Sequence, residues 1–167
     1  MVASEWLWVL SLYFPLDFNG DVPHAVSHAF DIHSLLDIYF SKENLSHHPC
    51  SNCRFVGGTE KQLKIINAPE ILVLHLSRFT SATQKIHSFV EFPAELTTEH
   101  IRDGYGQHMR YRLSGYIRHT GSSMASGHYI AYFQITGKYE ADDSFIRELS
   151  WDTVRTLEAY VLFYERI

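Results

Sequence analysis

The sequence predicts an α+β fold, a mainly antiparallel β-sheet with a minority of helix. Three observations point there. Short segments rich in branched and aromatic residues are separated by polar or glycine-containing connections, a single segment repeats its apolar residues with helical period, and no regular strand-helix alternation of a parallel sheet occurs.

In chain order, Ser11-Leu12-Tyr13-Phe14-Pro15-Leu16 reads as a strand stopped by proline, which cannot donate to a ladder. Asp31 is placed to cap a helix over residues 31–40. Within it Ile32, Leu35, Leu36, Tyr39 and Phe40 fall on one face. Glu60 to Ile66, Ile71 to Leu76 and Ile86 to Phe92 then read as three strands. Tyr111 to His119, His128 to Ile135 and Ala159 to Glu165 add three more.

The 167 residues, 46% of them hydrophobic, suffice for one buried core and argue against disorder. The whole formal charge of -5 falls within residues 1–41, which hold Glu5, Asp17, Asp21, Asp31 and Asp37 and no Lys or Arg. An electrically balanced remainder argues against a phosphate backbone as partner. The acidic segment suits either a solvated rim, the favoured reading, or a basic protein surface. Trp6 to Leu16 lacks the basic flank and cleavage site of a signal sequence and is too short to span a bilayer, so no membrane partner is expected. Two cysteines three residues apart make no disulfide framework, which favours a reducing compartment, cytoplasmic or nuclear.

His128 opens an apolar strand beside the glycine-bounded loop Gly121 to Gly127, a place that holds the backbone and exposes the imidazole. A side chain titrating near neutrality there can take a proton from a nucleophile and return it to a leaving group. Asp142 lies fourteen residues on; a strand, a turn and a returning strand would bring it beside the ring, where a carboxylate fixes the tautomer. The pair Asp142-Asp143 also reads as a plain acidic turn. Thr80 to Lys85 is a second small polar loop.

Cys50 and Cys53, after His47-His48-Pro49, have the spacing of half a tetrahedral zinc site, with an inert turn and a reactive thiol as weaker readings. The serines of Gly121-Ser122-Ser123-Met124-Ala125 only approximate a nucleophile elbow and lack its strand-to-helix context. Trp6, Trp8 and Tyr13 read as core or as an exposed packing face. Arg78 suits a structural ion pair or a carboxylate site, and Asn44-Leu45-Ser46 is a sequon without meaning in a reducing compartment.

Several of these segments together resemble the ubiquitin-specific protease family of cysteine peptidases. The histidine box is matched by Tyr111-Arg112-Leu113-Ser114-Gly115-Tyr116-Ile117-Arg118-His119-Thr120-Gly121, by Gly127-His128-Tyr129, by Asp142-Asp143-Ser144, and by Ala159-Tyr160-Val161-Leu162-Phe163-Tyr164-Glu165-Arg166. Pro69 to Phe79, ending Leu76-Ser77-Arg78-Phe79, is similar to the family's central strand. The Ser11 to Leu16 strand, the 31–40 helix and Cys50-Ser51-Asn52-Cys53 occur in the family's order.

The resemblance implies the palm and fingers portion of a papain-like cysteine peptidase. Residues 1–66 would form the fingers-side portion and 67–167 the palm sheet, without the half that carries the cysteine box. It implies a cysteine-type deubiquitinase that hydrolyses isopeptide bonds at the ubiquitin C-terminus and binds ubiquitin or ubiquitylated proteins. His128 would be the general base, Asp142 its orienting residue and Asp143 a support, through a polarising water or the oxyanion region. Ser126, Gly127 and Tyr129 would line the substrate, with Thr80 to Lys85 and Gly121 to Gly127 flanking the ubiquitin tail. Tyr129 and Tyr132 also read as packing.

By the same resemblance Cys50 and Cys53 are half of a structural zinc ribbon, and catalysis needs no cofactor. The family's nucleophile lies in a Gly-Asn-Thr-Cys-Tyr box, which this sequence lacks; Tyr139 and Ala141 stand where the family has Trp and Phe. The isolated chain is therefore expected to be inactive. A non-catalytic ubiquitin-binding module or a truncated fragment is the alternative, and a small zinc-bound structural domain a third reading.

Overall fold

A computed structural model describes residues 7–17, 22, 30–45, 49–50, 52–102, 105–154 and 156–167, the side chain of Trp151 apart. Trp6, His47 and His48 lie outside the described residues. The strands and helices follow in chain order as β1 (Leu10–Tyr13), β2 (Phe30–Asp31), α1 (Ile32–Tyr39), β3 (Glu43–Leu45), β4 (Thr59–Lys61) and β5 (Ile71–Ser77). Next come β6 (Phe79–Ser81), β7 (Gln84–Lys85), β8 (Val90–Glu91), β9 (Glu95–Arg102), β10 (His108–Ser123) and β11 (Ser126–Gln134). The chain finishes with β12 (Lys138–Asp142), β13 (Phe145–Glu148), α2 (Trp151–Val154) and β14 (Val161–Arg166).

Eight strands form one sheet in the order β1-β5-β14-β10-β11-β12-β13, with β9 also on β10. Its pairs are antiparallel except β1 with β5, so the α+β expectation of a mainly antiparallel sheet with little helix holds. β10, sixteen residues long, is the spine: it carries β9 and β14 along its first part and β11 along its second.

The helical stripe read from the sequence becomes α1. Asp31 caps it, accepting from the Ser34 backbone N–H at 3.0 Å, and Ile32, Leu35 and Leu36 are buried against β1 and β9. Truncating one of those leucines to alanine would cost about 2–5 kcal/mol. Buried tyrosines find carbonyl acceptors: Tyr111 on Pro69, Tyr116 on Val154 and Tyr164 on Pro93. The aromatic content thus fills the core without stranding hydroxyls.

Two predicted strands are corrected. Of Glu60 to Ile66, only the first residues pair, as β4 with β3, and Ile65 makes a single bridge to Ile101. Of Ile86 to Phe92, only Val90 and Glu91 are strand, because the carbonyls of Ile86 and Ser88 turn to Arg78 instead of a neighbouring strand. The Gly121 to Gly127 stretch is also not an open loop. β10 runs to Ser123, a turn at Met124-Ala125 follows, and the Met124 N–H donates to the Ala82 carbonyl at 3.0 Å. Thr80 to Lys85 is likewise the β6–β7 hairpin. Among the described residues, no helix is long and apolar enough to cross a membrane.

Candidate active site

Register brings the site together. β11 and β12 pair with Ala131 opposite Ala141, so Asp142 extends one position beyond the last pair on the face that His128 shares with Ile130 and Tyr132. His128 Nε2 meets Asp142 Oδ1 at 2.5 Å. The expected strand, turn and returning strand is thus the actual arrangement. Asp143, with φ 51°, takes the left-handed conformation at the turn into β13, one that Asp tolerates better than most residues. It keeps its carboxylate close: potential ligand atoms of His128, Asp142 and Asp143 all lie within 4.8 Å of one another.

Both members of the bonded pair remain nearly half exposed, at 45% for His128 and 43% for Asp142. The hydrogen bond to Asp142, opposed by partial desolvation and aided by the charges of Asp142 and Asp143, holds the imidazole above its usual pKa. With Nε2 occupied by a carboxylate, the neutral ring carries its proton there and presents Nδ1 as the base. This arrangement suits proton handling better than metal binding, because the ring nitrogen nearest the carboxylates is already a donor.

Behind the pair, buried Glu140 accepts from Arg147 Nε at 2.6 Å, which fastens β13 to β12. On the opposite face, buried His119 lies among Tyr129, Phe79 and Tyr160 at ring separations of 4.8, 5.5 and 5.7 Å. Of the expected substrate residues, Ser126 and Gly127 start β11, and Tyr129 is 58% exposed on the His119 face, away from the His128 imidazole.

Arg78 settles between its two readings as a buried anchor. It donates to the carbonyls of Ala159, Ile86 and Ser88 and lies 3.9 Å from Glu158, which also takes Lys85 at 2.7 Å. Burial lowers its pKa to about 10, with Glu158 opposing. Trp8 and Tyr13 are exposed, the second of their two readings.

Cys50 and Cys53 sit on a tight knuckle in which the Cys50 N–H donates to Phe55 O and the Arg54 N–H to Cys50 O, both at 2.8 Å. The backbone N–H groups of Cys53 and then Asn52 hold the Cys50 thiol below its usual pKa, which favours the thiolate a metal takes. Sequence reasoning missed His119, Lys85 with Glu158, and Glu140 with Arg147. The one available signal was two glycines, Gly121 and Gly127, flanking a turn directly after a histidine.

Residues 21–164 match the model of the ubiquitin carboxyl-terminal hydrolase family. The chain belongs to that family. Ubiquitin carboxyl-terminal hydrolase 8 of Arabidopsis thaliana is 36% identical over 126 residues, covering 71% of this chain and 14% of that protein. Ubiquitin carboxyl-terminal hydrolase 8 of Saccharomyces cerevisiae is 31% identical over 151 residues, covering 80% and 32%. Ubiquitin carboxyl-terminal hydrolase 2 of Bos taurus is 37% identical over 123 residues, covering 70% and 20%.

Among solved structures, a SAGA DUB module of Ubp8, Sgf11, Sus1 and Sgf73 bound to monoubiquitin superposes with TM-score 0.75 at 29% identity, covering 95% of this chain and 35% of that one. The module bound to ubiquitin aldehyde gives TM-score 0.74 at 28% identity, with coverage of 95% and 35%. The family member described here therefore spans less than a third of the length of these curated relatives.

Proposed function

We propose that this chain supplies the histidine and aspartate of a thiol-dependent deubiquitinase whose cysteine is encoded outside it. The observation that carries the reading is the 2.5 Å bond from His128 Nε2 to Asp142, which leaves Nδ1 as a strengthened base at the half-exposed start of β11. In the reaction, Nδ1 accepts the thiol proton and the thiolate attacks the carbonyl carbon at the ubiquitin C-terminus, giving a tetrahedral oxyanion. Collapse breaks the C–N bond, and the imidazolium returns its proton to the leaving amine. Water, deprotonated by the same nitrogen, then hydrolyses the thioester and frees the thiol. Asp142 stays ionised throughout and stabilises the imidazolium; Asp143 adds negative charge beside it.

Ubiquitin and ubiquitylated proteins are the proposed partners, with Ser126, Gly127 and Tyr129 along the path of the ubiquitin tail. The β3–β4 ribbon and the Cys50 knuckle would lie on the fingers side of the catalytic domain, and the eight-stranded sheet, β1 included, would be its palm. Cys50 and Cys53 would supply two thiolates to a structural zinc ion and take no part in the chemistry; the remaining ligands lie beyond this pair. The proposed location is cytoplasmic or nuclear, where reducing conditions keep such a thiol pair available to a metal.

The test joins the chain to the cysteine-bearing lobe of a relative and follows a fluorogenic ubiquitin C-terminal amide. The joined protein turns over, the 167-residue chain alone does not, and His128→Ala abolishes turnover. Hydrolysis by the chain alone that Cys53→Ser removes would place the nucleophile in the knuckle and overturn the reading.

A further inference from the structure

We propose that His119 is a positioning residue: its imidazole occupies the space that a side chain at residue 127 would need, and so fixes the backbone from which His128 reaches Asp142. The inference rests on the reading of His128 as the base. Thr120 pairs with His128 and His119 with Tyr129 across β10 and β11. Side chains alternate between faces, so His128 points to one side of the sheet while Gly127, Tyr129 and His119 share the other.

A Cβ added to Gly127 would lie 2.0 Å from His119 Nε2 and 2.8 Å from both Cδ2 and Cε1 of the same ring. On its other flank, Gly127 meets Gly121, whose φ of +142° excludes ordinary side chains. A Cβ on Gly121 would lie 3.0 Å from Gly127 Cα and 2.9 Å from Ser126 O. The backbone entering His128 is thus clamped between an imidazole and a glycine bulge.

The ring itself cannot retreat. It is 3% exposed and walled by Phe79, Tyr129 and Tyr160. Its own carbonyl accepts from Lys85 Nζ at 2.7 Å, and Lys85 is tied to Glu158 at 2.7 Å. Nδ1 is buried with no hydrogen-bond partner among the described residues. A polar atom left unpaired in the core costs free energy, so Nδ1 does not hold the ring in place and the aromatic wall does. Burial, then the Lys85 charge, lowers its pKa against the pull of Glu158, which keeps the ring a neutral spacer at neutral pH. The titratable groups facing it are Lys85, Glu158, Tyr129 and Tyr160, whereas Asp142 and Asp143 face His128.

The test is an imidazole titration by NMR of the 167-residue chain and of Gly127→Ala, His119→Ala and the double variant. In the unaltered chain His128 is expected to titrate above 6.5, the usual histidine value. Gly127→Ala returns its midpoint toward 6.5 because the new methyl displaces the backbone, and His119→Ala does so less because the clamp loosens. The double variant restores the raised midpoint, since the methyl fits the vacated space. A raised midpoint in all folded variants would reduce His119 to ordinary packing and overturn the proposal. If Gly127→Ala does not fold, the double variant decides: a folded protein with raised His128 supports the clamp, and one no better than Gly127→Ala overturns it. An unraised midpoint in the unaltered chain would sink both this proposal and the functional reading, whereas failed ubiquitin hydrolysis with the full titration pattern intact would sink the functional reading alone.

Discussion

His128 and Arg78 both meet carboxylates on the same sheet, yet they are built oppositely. The first pair is nearly half exposed and joined by one hydrogen bond. The second is sealed: Arg78 has no exposed surface and holds three carbonyls as well as lying beside Glu158. A buried charge needs many partners, and Arg78 finds carbonyls for Nε and Nη1 while its buried Nη2 has no hydrogen-bond partner among the described residues; a proton-transfer group instead must keep one nitrogen free. The number of partners therefore separates the anchor from the tool, although in sequence both are single charged residues at strand ends.

Substitutions should split along that line. The largest effect is expected from Asp142→Asn in the joined, cysteine-bearing enzyme. Loss of the carboxylate charge lowers kcat by up to about 10^4-fold, the size of the same change in a serine-protease triad, while the melting temperature above neutral pH stays where it was; both are read from turnover and thermal unfolding. Arg78→Met should do the reverse, leaving three carbonyls without a donor and removing about 3–5 kcal/mol of stability in urea unfolding.

Glu158→Gln is milder, about 1–3 kcal/mol, because the amide still bonds but the charge opposing Lys85 is gone. Burial raises the Glu158 pKa, but Lys85, Arg78 and His87 outweigh it, so the carboxyl lies below its usual 4.5. A lowered carboxyl stabilises the fold above that value and stops doing so as pH falls through its own lower pKa. The unaltered chain should thus lose its advantage over Glu158→Gln in acid below about pH 4.5. The smallest effect falls at the knuckle: a chelator, or Cys50→Ser, should leave both the melting of the main sheet and the turnover of the joined enzyme unchanged, because β3 and β4 form a separate ribbon.

Much of this design was legible in the letters. The helix announced itself through Ile32, Leu35 and Leu36 under an aspartate cap, and β5 and β14 through apolar runs that sit inside the sheet. The edge was harder. β13 buries nothing, with Phe145 and Ile146 at 77% and 67% exposed, so no alternation marks it. β9 hides Thr98 and Leu96 in a segment that otherwise reads as polar, and the 86–92 segment lost its ladder to Arg78. At the site, His128 and Asp142 were readable because hairpin geometry converts fourteen residues of separation into contact. His119 was not, since nothing in a strand's alternation says that a histidine fills the place of a missing side chain across the ladder.

The central claim is that Asp142 holds His128 as a strengthened base. A group whose pKa is raised in the fold contributes stability below its unfolded value, near 6.5, and loses that contribution as pH rises through the higher folded value. The direct measurement is the His128 midpoint by NMR in the unaltered chain and in Asp142→Asn. The expected midpoint lies above 6.5 and falls when the carboxylate is removed; an identical midpoint in the two proteins would show that Asp142 does not strengthen the base.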